Sequence, residues 1–415
     1  MTQETSAPGG TTSDPQSPLR NIRVLDFCAI YAGPFACSTL GMLGADVIRI
    51  ESATRMEAMR YNPPKSPGAE PPNAPRFHVL NHNKRGITLN LREPRAIELI
   101  LQLAAKSDIV ADNFRPGVMD SLGLGYEALR AVNPKIIVLS MAAMGDTGPE
   151  RRYGALATTF SALAGLSHMT GYVDGAPTEY RGSSDFRSGF IGIFAALAAI
   201  FHRERTGEGM RIDLSARDAL ASLIGDTLMD YSMNGRAPHR DGNRHRSLAP
   251  HGVYRCAGDD HWISIAVQNE DDWQRFVLAI GQPALAADPR FVDMASRHAN
   301  REALDVIITE WTVTRADYDV MGTLQAAGVA SMPSMRSDQI VTDRHLEARD
   351  FIQRIEHEVV GRITLMNVPW KMSATPGQRP AAGPLFGEHN QAVLTELLGM
   401  KLEEIVQLQN DRVIY

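Results

Sequence analysis

The segment NIRVLDFCAIYAGPFACSTLGMLGADVIRIE, residues 21–51, decides the fold. RVLDF (23–27) has the apolar texture of a buried strand. AIYAGP follows as a loop, with a tight turn at Ala32, Gly33 and Pro34, and FACSTLGMLG then carries helix-like spacing. ADVIRIE (45–51) reads as the next strand. Together they form a β-loop-α-β unit.

The same alternation continues outward. Residues 52–76 hold six prolines and read as a long loop. ITLNL (87–91) is a strand, and Pro94 opens the helix AIELILQLAAKS. DIVADNF is a strand, RPG a turn, and KIIVLSMAAMG (135–145) another buried strand. A small-residue helix follows Asp185, then RERTGEGMRIDLSARDALASLIG reads as turn, strand and helix. This order predicts an α/β fold whose mostly parallel sheet is covered on both faces. Ligands on such sheets sit beyond the strand carboxyl ends.

Near residue 234 the texture changes. GRAPHRDGNRHRSLAPHG is a loop, and VYRC and HWISIAV form an antiparallel pair around AGDD. HEVVGRITLMNVPW is again strand-rich, and PAAGPLFGEHN leads into the helix QAVLTELLGM. The expected organisation is a disordered leader at 1–18 and the first part of a large Rossmann-like domain at 19–225. A small α+β domain covers 226–330, and a return segment at 331–415 completes the large domain.

Composition excludes several classes. The chain has 415 residues, 44% hydrophobic and 22% charged, enough for a sizeable core. A net charge of −6 gives no nucleic-acid surface. Three cysteines, Cys28, Cys37 and Cys256, make no paired disulfide framework and fit a reducing compartment. The apolar run 190–201 is too short to span a bilayer, and the polar N-terminus has no signal-peptide features. The expected location is the cytoplasm, without membrane or nucleic-acid partners.

Neither GxGxxG nor a Walker A sequence is present, so nicotinamide and flavin are not expected. His78 and His82 stand four apart without a nearby third ligand, and no metal is expected. RHR (244–246) is a solvated basic loop or a phosphate contact. NHNKRG (81–86) and NFRPG (113–117) lie where an α/β sheet presents binding loops. Turn chemistry alone accounts for either; together, Lys84, Arg85 and Arg115 point to an anionic ligand.

In TGYVDGAPTEYRGSSDF (170–186), Asp174 sits in an Asp-Gly turn and Asp185 at an expected helix N-cap. Local physics explains each without chemistry, so both readings stand at this point.

The whole pattern resembles the family III CoA-transferases, the formyl-CoA and carnitine CoA-transferase group that also contains α-methylacyl-CoA racemases. The resemblance rests on RVLDF…AGPFAC…LGADVIRIE, NHNKRGITLNL, NFRPGVMDSLGLGYEALRAVNPKIIVLS, TGYVDGAPT, HRERTGEGMRIDLSARDAL, GNRHRSLAPHGVYRC and FGEHNQAVLTELLG. It implies that Asp174 is a nucleophile, in a turn matched by Gly171, Asp174, Gly175 and Pro177, with Gly175 supporting the turn and the developing oxyanion. It implies CoA contacts at Ile30, Tyr31, Gly33, Asn81, Asn83, Lys84, Arg85, Asn113, Phe114 and Arg115. An exposed aspartate is ionised at neutral pH and needs no general base. The expected substrates are an acyl-CoA and a small carboxylic acid, with CoA as carrier and an interlocked homodimer as the working form.

The resemblance also leaves alternatives. Gly154 and Ala155 stand where racemases carry His and Asp, which favours a transferase, while Asp185 matches the second racemase residue. Racemase or isomerase chemistry through Asp185, or a non-catalytic CoA-binding subunit, are the other readings. Ser52, Ser121 and Ala142 replace basic residues of formyl-CoA transferase, and its tetraglycine flap is absent. Formate or oxalate specificity is therefore not carried over.

Overall fold

The computed structural model describes residues 16–61, 75–179 and 182–415. Most of the proline-rich loop and of the leader lies outside the described residues. The backbone divides into two compact units. The larger comprises the described residues through Leu166, then Glu179–Arg236 and His345–Tyr415. The smaller comprises Ser167–Thr178 and Ala237–Arg344.

The larger unit is built on six parallel strands: β1 (Arg23–Asp26), β2 (Asp46–Glu51), β3 (Arg85–Thr88), β4 (Ile109–Asp112), β5 (Ile137–Ala142) and β6 (Met210–Ser215). Their order is β3-β2-β1-β4-β5-β6. Val24 pairs with Val47 on one side and with Ile109 on the other. The order therefore reverses between β1 and β4, and the crevice at their carboxyl ends is the topological switch point.

Strand alternation loads both faces. Leu25, Ile48, Ile87, Val110 and Val138 point into one core, which the C-terminal residues Val393, Leu397, Leu408 and Ile414 complete. Val24, Val47, Ala111 and Leu139 point into the other, against Ile193, Ala196 and Ala199. The return is pinned by polar bonds as well: Thr88 Oγ1 donates to the Tyr415 carbonyl at 2.8 Å, and the Asn390 amide donates to the same oxygen at 2.7 Å.

The small-residue helix is longer than its apolar run. It spans Ser183–Thr206, 24 residues, and is long and apolar enough by length and composition to cross a membrane. Its glycines have a local reason. A Cβ at Gly189 would lie 2.9 Å from the Ala32 carbonyl, at the start of α1 (Ala32–Met42), so the two helices approach to backbone contact. Its C-terminal end is anchored by Arg203, paired with Asp108 at 2.8 Å.

In the smaller unit, β7 (His251–Arg255), β8 (Trp262–Ala266) and β9 (Ala330–Pro333) form an antiparallel sheet. Its core gathers Tyr254, Ile263, Ile265, Trp273, Phe276 and Leu324. The expected limits of 226 and 331 move. The helix Gly225–Asn234 stays with the larger unit. At the far end, β9 pairs with β8, so the chain leaves the smaller unit only after Arg344.

Candidate active site

The carboxyl edge of the large sheet encloses a cavity of about 800 Å³. Its floor is set by the loops after β1 and β4. The Asn113 side chain locks them together, accepting from the Ala29 N–H at 2.8 Å and donating to the Ala29 carbonyl at 2.7 Å. Ile30 has φ 71°, an uncommon state for a β-branched residue, and Glu57 accepts from its N–H at 3.2 Å. Ile30, Tyr31, Asn113, Phe114 and Arg115, which the resemblance names as CoA contacts, line the cavity.

The other predicted contacts have different positions. Lys84 lies beneath the first loop, fully buried, and donates to Asp26 (2.8 Å), the Pro34 carbonyl (2.9 Å) and Asn81 Oδ1 (2.9 Å). Burial pushes Asp26 up, but Lys84 and Arg49 outweigh it and hold the carboxyl below its ordinary value. Arg85 is bound to Asp46 at 2.6 Å and to Glu396 at 2.6 Å. Asn81 also donates to the Phe77 carbonyl, and Asn83 to the Arg379 carbonyl. NHNKR therefore staples the first βα turn and the C-terminal return, and its cations are already neutralised. Gly33 acts through closeness: a Cβ there would fall 2.4 Å from the Cys28 side chain.

Sequence reading missed Arg55, Arg92 and Arg151, which join Arg115 around the cavity. Arg55, Arg92 and Arg115 are exposed and have no acidic partner among the described residues. The signal for the three missed arginines was weak, since none of them stands in a motif.

Asp185 also faces this cavity. It is not the helix N-cap. Gly182 holds that place with φ 76°, and Asp185 is the third helical residue. Burial, and then the charge of Glu179, raise its pKa to about 6.

Asp174 belongs to the smaller unit and is exposed. Its turn closes through Gly175 N–H to the Tyr172 carbonyl at 3.0 Å and Thr178 N–H to the Thr170 carbonyl at 3.0 Å. The Gly175 N–H is thus committed to the turn, which leaves it the turn-supporting half of its expected role. Gly171 has φ 127°, and a Cβ there would lie 3.1 Å from the Ala176 carbonyl. At Gly175 a Cβ would meet nothing nearer than 3.5 Å.

Among the described residues one group has metal-ligand atoms close together: Asp26, Cys28 and Cys37, within 4.8 Å. Lys84 and Arg49 already neutralise Asp26, and burial pushes the Cys28 thiol well up. A protonated thiol beside two cations makes a poor cation site. His78 and His82 have separate partners, the Gly383 carbonyl and Asn83.

Residues 19–390 match the model described as CoA-transferase family III. The chain belongs to that family. Family III CoA-transferases act on CoA thioesters. The chain is 32% identical to the succinyl-CoA–D-citramalate CoA-transferase of Chloroflexus aurantiacus, over 96% of this chain and 99% of that protein. It is 34% identical to the succinyl-CoA:mesaconate CoA-transferase of Haloarcula marismortui, over 91% of this chain and 96% of that one. A CAIB/BAIF family protein from Brucella suis superposes with a TM-score of 0.83 at 30% identity, covering 93% of this chain and 100% of that one. Membership of CoA-transferase family III is consistent with a Rossmann-like sheet that lacks a dinucleotide fingerprint.

Proposed function

We propose that this CoA-transferase moves CoA from succinyl-CoA, or a similar dicarboxylic acyl-CoA, to a second carboxylic acid through covalent intermediates on Asp174. The observation that carries the reading is an exposed carboxylate on a closed turn, in a family whose cited relatives exchange CoA between succinate and other acids. The Asp174 oxygen attacks the thioester carbonyl, forming a mixed anhydride and releasing CoA thiolate. The thiolate attacks the aspartyl carbonyl, giving an aspartyl-CoA thioester and freeing the first acid. The second acid attacks that thioester, and the thiolate then attacks the acceptor's carbonyl in the new anhydride. The acceptor leaves as its CoA ester and Asp174 is restored. Each step forms one acyl bond and breaks one, and the thioester's energy is kept.

The cavity of the larger unit suits the nucleotide end of CoA. Arg55, Arg92, Arg115 and Arg151 offer charge for phosphates, and Tyr31 and Phe114 offer apolar surface for a base.

The working form is a homodimer. Phe190, Phe194 and Phe201 project within one narrow arc of the long helix and are 43%, 74% and 62% exposed. Leu228, Met229, Tyr231 and Met233 are also exposed. Apolar surface of this extent calls for a covering partner, and a second copy is the economical one. Light scattering on the purified protein tests this: twice the 45.5 kDa chain mass supports it, and a monomer removes it. In an interlocked dimer, tagged and untagged chains would fail to exchange without unfolding.

The transfer reading is tested by incubating the protein with succinyl-CoA and a panel of acids, with products read by mass spectrometry. New acyl-CoA species that require an added acid support it. A second reading has its own observation: Asp185 faces the cavity with a pKa of about 6, suited to moving an α-proton. Deuterium entering the α-position of an acyl-CoA without any acceptor acid would favour that reading.

A further inference from the structure

Resting on the reading of Asp174 as nucleophile, we infer that Arg240 is the positioning residue of the Asp174 turn, its guanidinium tying the carbonyl after the nucleophile to the chain that enters the turn. Tyr172 through Thr178 are all exposed, so among the described residues no apolar burial anchors this loop. The bonds inside the turn close it on itself without orienting it. Orientation comes from residues 240–243 of the same unit. Gly242 N–H donates to the Gly171 carbonyl at 2.9 Å, and the Asn243 amide reaches Tyr172 Oη at 3.3 Å. Arg240 makes the longest reach: Nε donates to the Gly175 carbonyl at 3.2 Å, and Nη1 to the His168 carbonyl at 3.1 Å.

The two acceptors lie on either side of Asp174 in the chain. One planar guanidinium that holds both fixes the carboxylate's bearing, which a point-like ammonium on a flexible stem would not. The backbone is shaped to admit it. A Cβ at Gly171 would lie 3.1 Å from Arg240 Cδ, and one at Gly242 would lie 2.8 Å from the Tyr172 ring. Both glycines have positive φ, 127° and 62°. Side chains are absent at the places where the two loops press together. Among the described residues Arg240 bonds only backbone carbonyls, those of His168 before the turn and Gly175 within it, so it acts through Asp174. A nucleophile displaced by about 1 Å loses roughly 10²-fold in rate.

The test uses the full-length protein with succinyl-CoA and its acceptor acid. Arg240→Met should lower kcat by about 10²-fold while KM for succinyl-CoA stays within about twofold. Covalent labelling of Asp174 should slow in the same proportion, with an unchanged thermal transition. Arg240→Lys, which keeps the charge but holds one carbonyl at a time, should recover kcat to within about tenfold of the parent. A kcat for Arg240→Met within about threefold of the parent, or a loss confined to KM, overturns the inference. If Arg240→Met does not fold, Arg240→Lys decides: a kcat about threefold to tenfold below the parent supports the inference, and an unchanged kcat overturns it. Asp174→Asn separates the two layers. If it is inactive while Arg240→Met is parent-like, positioning alone fails; if it is active, the nucleophile reading fails and this inference with it.

Discussion

Asp174 and Asp185 stand eleven residues apart in the chain and in opposite surroundings. Asp174 is held in solvent, on a turn of the smaller unit that supplies its side chain with no ion pair among the described residues. Asp185 is half-buried in the first turn of a long helix, where burial and Glu179 keep its proton on up to about pH 6. The same side chain is thus presented once in solvent without an ionic partner among the described residues and once as a reluctant acid. The first suits nucleophilic attack, and the second suits proton transfer or the shaping of an apolar cavity.

The largest expected effect falls on the exposed member. Asp174→Asn should lower the transfer rate by at least about 10³-fold while thermal stability moves by no more than about 0.5 kcal/mol. Asp185→Asn should cost less than about tenfold in transfer. Steady-state kinetics on both variants check this, and the reverse ranking would break the comparison.

The next effect sharpens what burial means for a charge. Lys84 is fully buried against Asp26, so Lys84→Met leaves a desolvated carboxylate with Arg49 alone. Breaking such a pair costs about 3–5 kcal/mol. Urea unfolding should show that loss, in contrast to the near-neutral result for exposed Asp174.

Asp185 comes third, with a pH signature. Its folded pKa of about 6 lies above its ordinary 3.8, so the folded chain holds a proton that the unfolded chain releases between those values. Stability is therefore lost as pH rises through that window, and the penalty is complete above it. Asp185→Asn should gain up to about 3 kcal/mol near neutral pH and nothing below about pH 3. Melting curves across pH read this directly.

The smallest contrast lies within the turn itself. Gly171→Ala forces a side chain into a positive-φ position and should cost about 1–3 kcal/mol or a comparable loss of rate. Gly175→Ala, at negative φ with room for a Cβ, should change stability by no more than about 0.5 kcal/mol.

Much of this was legible in the chain. RVLDF through ADVIRIE announced the parallel unit, and the alternation of strands and helices announced the layered sheet. Loops beyond strand ends pointed to NFRPG with Arg115, and the family resemblance to Ile30, Tyr31, Asn113 and Phe114; all five residues line the cavity. What stayed hidden was partnership. A lysine in a loop reads as free charge, and its commitment to Asp26, 58 positions earlier, exists only once β1 and β3 are brought into one sheet. Asp185 resembled an N-cap because helix starts are read within a few residues, and the left-handed Gly182 moved the start. The limit of the smaller unit slipped because β9 is only ASMP, too short to show a strand's alternation.

The most direct measurement is to quench the enzyme during turnover of succinyl-CoA with hydroxylamine and map the modified residue by peptide mass spectrometry. A hydroxamate at Asp174, formed only when acyl-CoA is present, is the predicted result. Turnover with Asp174 unmodified, or with the label on Asp185 instead, would contradict the account.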